Sequence, residues 1–109
     1  MPVRPLEESF ETVVVQEGQP HLKEPPRFAV FLHNDDYTTM DFVIEVLKRY
    51  FHKTEEQAMQ IMLKVHQEGK GVAGIYHHEI AETKAEQVHD CARSRGFPLL
   101  CSIEPTLSE

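Results

Sequence analysis

The stretch FAVFLHNDDYTTMDFVIEVLKRYF, residues 28 to 51, changes its period midway, and that change decides the fold. Phe28-Ala29-Val30-Phe31-Leu32 is a short, nearly continuous apolar run, the pattern of a mostly buried strand. Asn34-Asp35-Asp36-Tyr37-Thr38 follows, dense in residues that turn a chain or cap a helix. Met40, Val43, Leu47 and Tyr50 then recur at helical spacing. Thr38 is the expected N-cap, with Asp41 three residues on as a weaker form of the capping box.

Working outward toward the C-terminus, Thr54 and Gln57 fit the Ser/Thr-x-x-Glu/Gln capping box. Glu55 and Glu56 occupy the first turn, where the helix dipole favours negative charge. Ala58, Ile61, Met62 and Val65 form the apolar stripe of this second helix, and Gly69 and Gly71 are expected to end it. Val72 to Tyr76 reads as a strand in which Gly74 leaves room for a close neighbour. A third helix is expected from Glu79 to Arg95, with Ala81, Ala85, Val88 and Ala92 on one face. His77 or His78 would cap it, neither a preferred capping residue, and Gly96 and Pro98 stop it. Leu99 to Ile103 makes the last strand. This order, strand-helix-helix-strand-helix-strand, predicts an α+β fold: a single two-layer sandwich of a three-stranded sheet and three helices over residues 27–104.

Outside that span the composition shifts. Residues 1–26 hold Pro2, Pro5, Pro20, Pro25 and Pro26 of the chain's 7 prolines, and only Val13-Val14-Val15 is a cohesive apolar cluster. So little apolar surface does not offset the entropy of ordering, which predicts a flexible N-terminal tail. Residues 105–109 read as a short polar C-terminal tail.

With 11 basic against 18 acidic residues, the formal net charge is -7. Such a balance opposes a nucleic-acid partner, which needs a basic patch, and adhesion to an anionic membrane. No apolar run reaches the roughly 20 residues of a bilayer span, and no secretory signal is evident. Cys91 and Cys101 are too few for a disulfide framework and read as small buried thiols in a reducing compartment, so a cytoplasmic location is expected.

Three features could carry chemistry. The acceptor-rich loop Asn34-Asp35-Asp36 reads either as a turn with a helix cap or as a cation site, suited to a metal or an ammonium group. It lacks the Gly and terminal Glu of an EF-hand loop. His66 flanks the stripe of the second helix, either as a structural residue or as a group that accepts a hydrogen bond while neutral or donates one when charged. The remaining histidines show no helical i, i+4 pair of the kind that holds zinc, so no metal and no cofactor are expected. Nucleophile-elbow, phosphate-loop and dinucleotide motifs are absent, which opposes an enzyme. Two further readings stay open at this point. One is a plain interaction domain working through its acidic surface. The other is a small hydrolase or metal protein using His66 with Asp35, Asp36 or Cys101.

From Pro25 to Glu104 the chain resembles the ClpS family, adaptors of the ClpA–ClpP protease. The matching motifs are Asn34-Asp35-Asp36-Tyr37-Thr38, Met40, Phe42-Val43-Ile44, Met62-Leu63, Val65-His66, Gly69-Lys70, Ala81-Glu82-Thr83-Lys84 and Pro98-Leu99-Leu100-Cys101. The resemblance implies a monomeric adaptor, not an enzyme, that recognises N-degrons: proteins whose first residue is Leu, Phe, Tyr or Trp. It assigns Asn34, Asp35, Asp36 and His66 to the substrate's free α-amino group. Thr38, Met40, Val43, Met62, Val65 and Leu99 would line the side-chain pocket. Tyr37, Glu79 and Lys84 would contact the N-terminal domain of a ClpA-type AAA+ unfoldase, and the tail would take part in delivery. Thr39 departs from the family pattern, standing where many relatives have proline.

Overall fold

The computed structural model describes residues 25–106. The expected N-terminal tail therefore lies outside the described residues up to residue 24, as does the C-terminal end from residue 107. Six elements follow in the predicted order: β1 (Arg27–His33), α1 (Met40–Tyr50), α2 (Glu55–Glu68), β2 (Lys70–His77), α3 (His78–Arg95) and β3 (Leu100–Pro105).

The apolar run forms the middle strand of an antiparallel sheet ordered β2-β1-β3. Val30 and Leu32, two residues apart and so on one face of β1, are fully buried. They share one core with Val46 and Leu47 of α1, Met62 and Val65 of α2, and Val88 and Ala92 of α3. The helices are thus the second layer, and burying each of the larger side chains contributes roughly 1.5–3 kcal/mol. Between β1 and β2 the register slips from Val30↔Gly74 to Phe31↔Val72, so Ala73 is the extra residue of a β-bulge and is also buried. At Gly74 the Tyr76 ring lies across the backbone, and a Cβ there would have to displace it.

Several local expectations shift. Thr39, not Thr38, is the N-cap of α1, its hydroxyl accepting from the Phe42 N–H at 3.1 Å. Thr38 is taken by Asp35, as described below. The buried stripe of α1 is Phe42, Val43, Val46 and Leu47, while Met40 is exposed and Tyr50 half-buried. Met40 is the first residue of the helix and stays outside the core. The capping box of α2 forms in both directions: the Thr54 hydroxyl accepts from the Gln57 N–H, and the Gln57 side chain accepts from the Thr54 N–H. Gly69 ends α2 in the left-handed conformation at φ 96°, but Gly71 lies inside β2. His77 caps α3 with no side-chain hydrogen bond, as expected of a poor capping residue. Strand β3 runs on to Pro105, opposite Phe28, and the Thr106 N–H donates to the Arg27 carbonyl at 2.9 Å. A proline is tolerated because β3 is an edge strand whose outer side needs no donor. The folded region therefore extends past residue 104.

Candidate functional site

A recess of about 270 Å³ opens where the β1–α1 loop meets the C-terminal half of α2. Its floor and walls are Val43 of α1 with Met62 and Val65 of α2, all buried members of the core. Its mouth carries Asn34, Asp36 and His66, all exposed. Thr38 and Asp35 complete the loop side, and Met40 overhangs the rim with 46% of its surface exposed. All of the predicted amino-group and side-chain pocket residues except Leu99 thus meet at one place. Leu99 does not line this recess; it is buried in the core just before β3.

One backbone hydrogen bond joins the halves of the recess. The Gly69 N–H closes α2 with an ordinary helical bond to the Val65 carbonyl at 2.9 Å, and past its left-handed turn the Gly69 carbonyl accepts from the Asn34 N–H at 2.9 Å. The loop after β1 is thereby fastened beside the turn of α2 that carries His66. Within the loop, one Asp35 carboxylate oxygen accepts from the backbone N–H of Tyr37 at 2.8 Å and of Thr38 at 2.7 Å. The other accepts from the Thr38 hydroxyl at 2.7 Å. Burial alone pushes the Asp35 carboxyl upward, but its hydrogen bonds from Thr38 and Tyr37 outweigh burial and hold it below the usual carboxylate range. Asp35 thus organises the turn and also borders the recess.

The side chains of Asn34, Asp36 and His66 take part in no hydrogen bond or ion pair among the described residues. They bring acceptor atoms to the mouth of an apolar hole, a combination suited to a ligand with a charged donor at one end and an apolar group beside it. The hole falls just below the roughly 300–1,000 Å³ of drug-sized ligand pockets, which fits a single side chain.

Elsewhere the structure separates what the sequence grouped. Tyr37, 76% exposed, follows the C-terminal end of β1. Glu79 follows His77, which pairs with Arg27 at the opposite end of that strand. Tyr37 and Glu79 therefore do not share one patch. Lys84 is half-buried and already engaged: its ammonium donates to the Tyr50 carbonyl at 2.7 Å, at the C-terminus of α1, and lies 5.7 Å from the Tyr76 ring. The Cys101 thiol is buried, which pushes its pKa up to about 12, so it stays protonated and is unsuited to nucleophilic attack. Its backbone N–H donates to the His89 ring at 3.0 Å, not to His66. That His89 contact, which fixes β3 against α3 beside Leu99, was not singled out by the spacing of α3. Its only signal is a His next to the buried Val88. Among the described residues no helix is long and apolar enough to cross a membrane.

An apolar recess with a polar rim on an α+β sandwich is the geometry of a small binding domain. The sequence profile of the ATP-dependent Clp protease adaptor protein ClpS matches residues 23–102, so the chain belongs to the ClpS family of Clp protease adaptors. The ClpS adapter protein of Oleidesulfovibrio alaskensis is 63% identical over 83 residues, covering 76% of this chain and 80% of the relative. That of Lawsonia intracellularis is 47% identical over 105 residues, 91% of this chain and 96% of the relative. The solved structure of Agrobacterium tumefaciens ClpS2 bound to L-phenylalaninamide matches with a TM-score of 0.74 and 38% identity, over 76% of this chain and all of that one.

Proposed function

We propose that this adaptor binds proteins bearing a free, bulky hydrophobic N-terminal residue (Leu, Phe, Tyr or Trp) and delivers them to a ClpA-type AAA+ protease in the cytoplasm, without catalysis of its own. The reading is carried by one observation: the amino-group acceptors Asn34, Asp36 and His66 ring the mouth of the hole formed by Val43, Met62 and Val65. An N-terminal residue differs from every internal one in its charged, multi-donor ammonium, and those acceptors match it. An apolar side chain entering the hole gains roughly 1.5–3 kcal/mol, and methionine walls adapt to aliphatic or aromatic shapes. The related ClpS2 supports this, since L-phenylalaninamide has a free α-amino group, an aromatic side chain and an amide where a chain would continue. On the unfoldase side, exposed Glu79 and the neighbouring Lys84 are the proposed contact, with Tyr37 on a separate surface.

Fluorescence anisotropy with two Leu-initiated peptides, one free and one N-acetylated, tests the reading. An acetylated terminus lacks the charge and would cover the acceptors at the mouth without supplying their donors, so only the free peptide should bind. Equal binding of both would make the chain an interaction domain that does not read N-termini.

A further inference from the structure

We infer that Met40 is a modification site: oxidation of its thioether by a peroxide closes the recess to hydrophobic N-terminal residues, and thiol-dependent reduction reopens it. The inference rests on the binding role proposed above and adds a chemical control of the same pocket.

Three described methionines form an internal comparison. Met40 lines the recess and is 46% exposed. Met62 lines the same recess but is 6% exposed, packed in the core. Met59 is 41% exposed on α2 and is not part of the recess. Access to oxidant therefore selects Met40 and Met59 over Met62, and position in the pocket selects Met40 over Met59. Only Met40 is both reachable and in the path of an entering side chain.

The step balances without any group the protein must supply. The Met40 Sδ lone pair attacks one oxygen of hydrogen peroxide, the O–O bond breaks and an S–O bond forms. Sulfur gives up two electrons, and the other peroxide oxygen leaves as water, taking up the proton that the sulfur-bound oxygen loses. The reverse uses a methionine sulfoxide reductase and two thiol equivalents, which yield a disulfide and water. Oxidation converts a flexible apolar side chain into a polar, chiral one. At the rim, that polar group would face an apolar side chain, weakening binding by about tenfold through its lost hydration.

The full chain is treated with hydrogen peroxide, and each methionine is mapped by mass spectrometry over time while anisotropy follows a free Phe-initiated peptide. Met40 and Met59 should oxidise together with Met62 lagging. Affinity should fall about tenfold in step with Met40, and methionine sulfoxide reductase with thiol should restore it. The fall should persist in Met59→Leu and be absent from Met40→Leu. If Met40→Leu binds too weakly to compare, the time course decides: loss that follows Met62 in place of Met40 overturns the inference. Unchanged affinity after full oxidation of Met40 overturns it as well. A native chain that binds no free-amine peptide overturns the binding role and the inference together.

Discussion

The Asn34 N–H donates to the Gly69 carbonyl at 2.9 Å, and this single bond ties the acceptor loop to the end of α2. Gly69 holds the position at φ 96°, where a side chain is strained although no neighbouring atom lies within 4 Å of its Cβ site. The constraint is therefore backbone conformation and not space. Gly69→Ala should lower the unfolding free energy by about 1 kcal/mol, whereas Gly69→Asn, which tolerates the left-handed region, should cost less. Urea denaturation of the two variants checks this, and equal losses would mean that strain is not the cause.

Asp35 makes stability depend on pH in a defined direction. Its hydrogen bonds keep the folded carboxyl below the usual range, so the unfolded chain takes up its proton first as acid is added. The contribution is complete above the unfolded value of about 3.9 and is lost as pH falls through the lower folded value. Asp35→Asn should therefore be less stable than the parent at pH 7. The gap should narrow in urea titrations carried down through pH 4 to pH 2. A gap constant across that range would detach the charge of Asp35 from the turn.

How far the sequence disclosed the fold depended on whether a signal was local. The Thr54–Gln57 box and the stripe of α2 are contained in one turn or one face, and both were legible. Choosing between Thr38 and Thr39 as N-cap was not, because the choice is made by Asp35 capturing Thr38 three residues away. The end of β3 needed its partner: Pro105 reads as a breaker until Phe28 is seen opposite it. The recess itself was legible only through the family motifs, since neither period nor spacing brings the β1–α1 loop to α2. Those motifs still grouped Leu99 with the pocket, which it does not line, and Tyr37 with Glu79, which lie beyond opposite ends of β1.

Glu79 and Lys84 should separate under mutation even though both are proposed to meet the unfoldase. Lys84 donates to the Tyr50 carbonyl, where a cation also complements the C-terminal dipole of α1. Lys84→Ala should therefore cost about 1.5–3 kcal/mol of stability as well as delivery. Glu79 is exposed, so Glu79→Ala should leave stability within about 0.5 kcal/mol and reduce only delivery. Thermal unfolding beside a degradation assay with ClpA–ClpP reads both. A stability loss for Glu79→Ala equal to that for Lys84→Ala would refute the distinction.

Burial of the Cys101 thiol, with its pKa pushed up to about 12, predicts a slow alkylation. Against an unperturbed thiol near 8.5, the thiolate fraction at neutral pH falls by a factor on the order of 10³. Iodoacetamide should thus label Cys101 far more slowly in the native chain than in urea, with the labelled peptide identified by mass spectrometry. Similar rates in both states would place the thiol at the surface.

His66 is exposed at the mouth of the recess, with its ring engaged in no hydrogen bond or ion pair among the described residues. Nothing in the fold depends on the imidazole, so His66→Ala should change stability by no more than about 0.5 kcal/mol. Binding is different, because the ring is one of few acceptors able to meet a charged terminal amine. Losing a hydrogen bond to a charged group costs about 1.5–3 kcal/mol, or at least a tenfold rise in Kd for a Leu-initiated peptide. His66→Gln, which keeps an acceptor on a side chain of similar reach, should recover part of the loss. Anisotropy and urea denaturation on the same preparations separate the two effects. A variant that binds as the parent does would leave the amine to Asn34 and the aspartates alone.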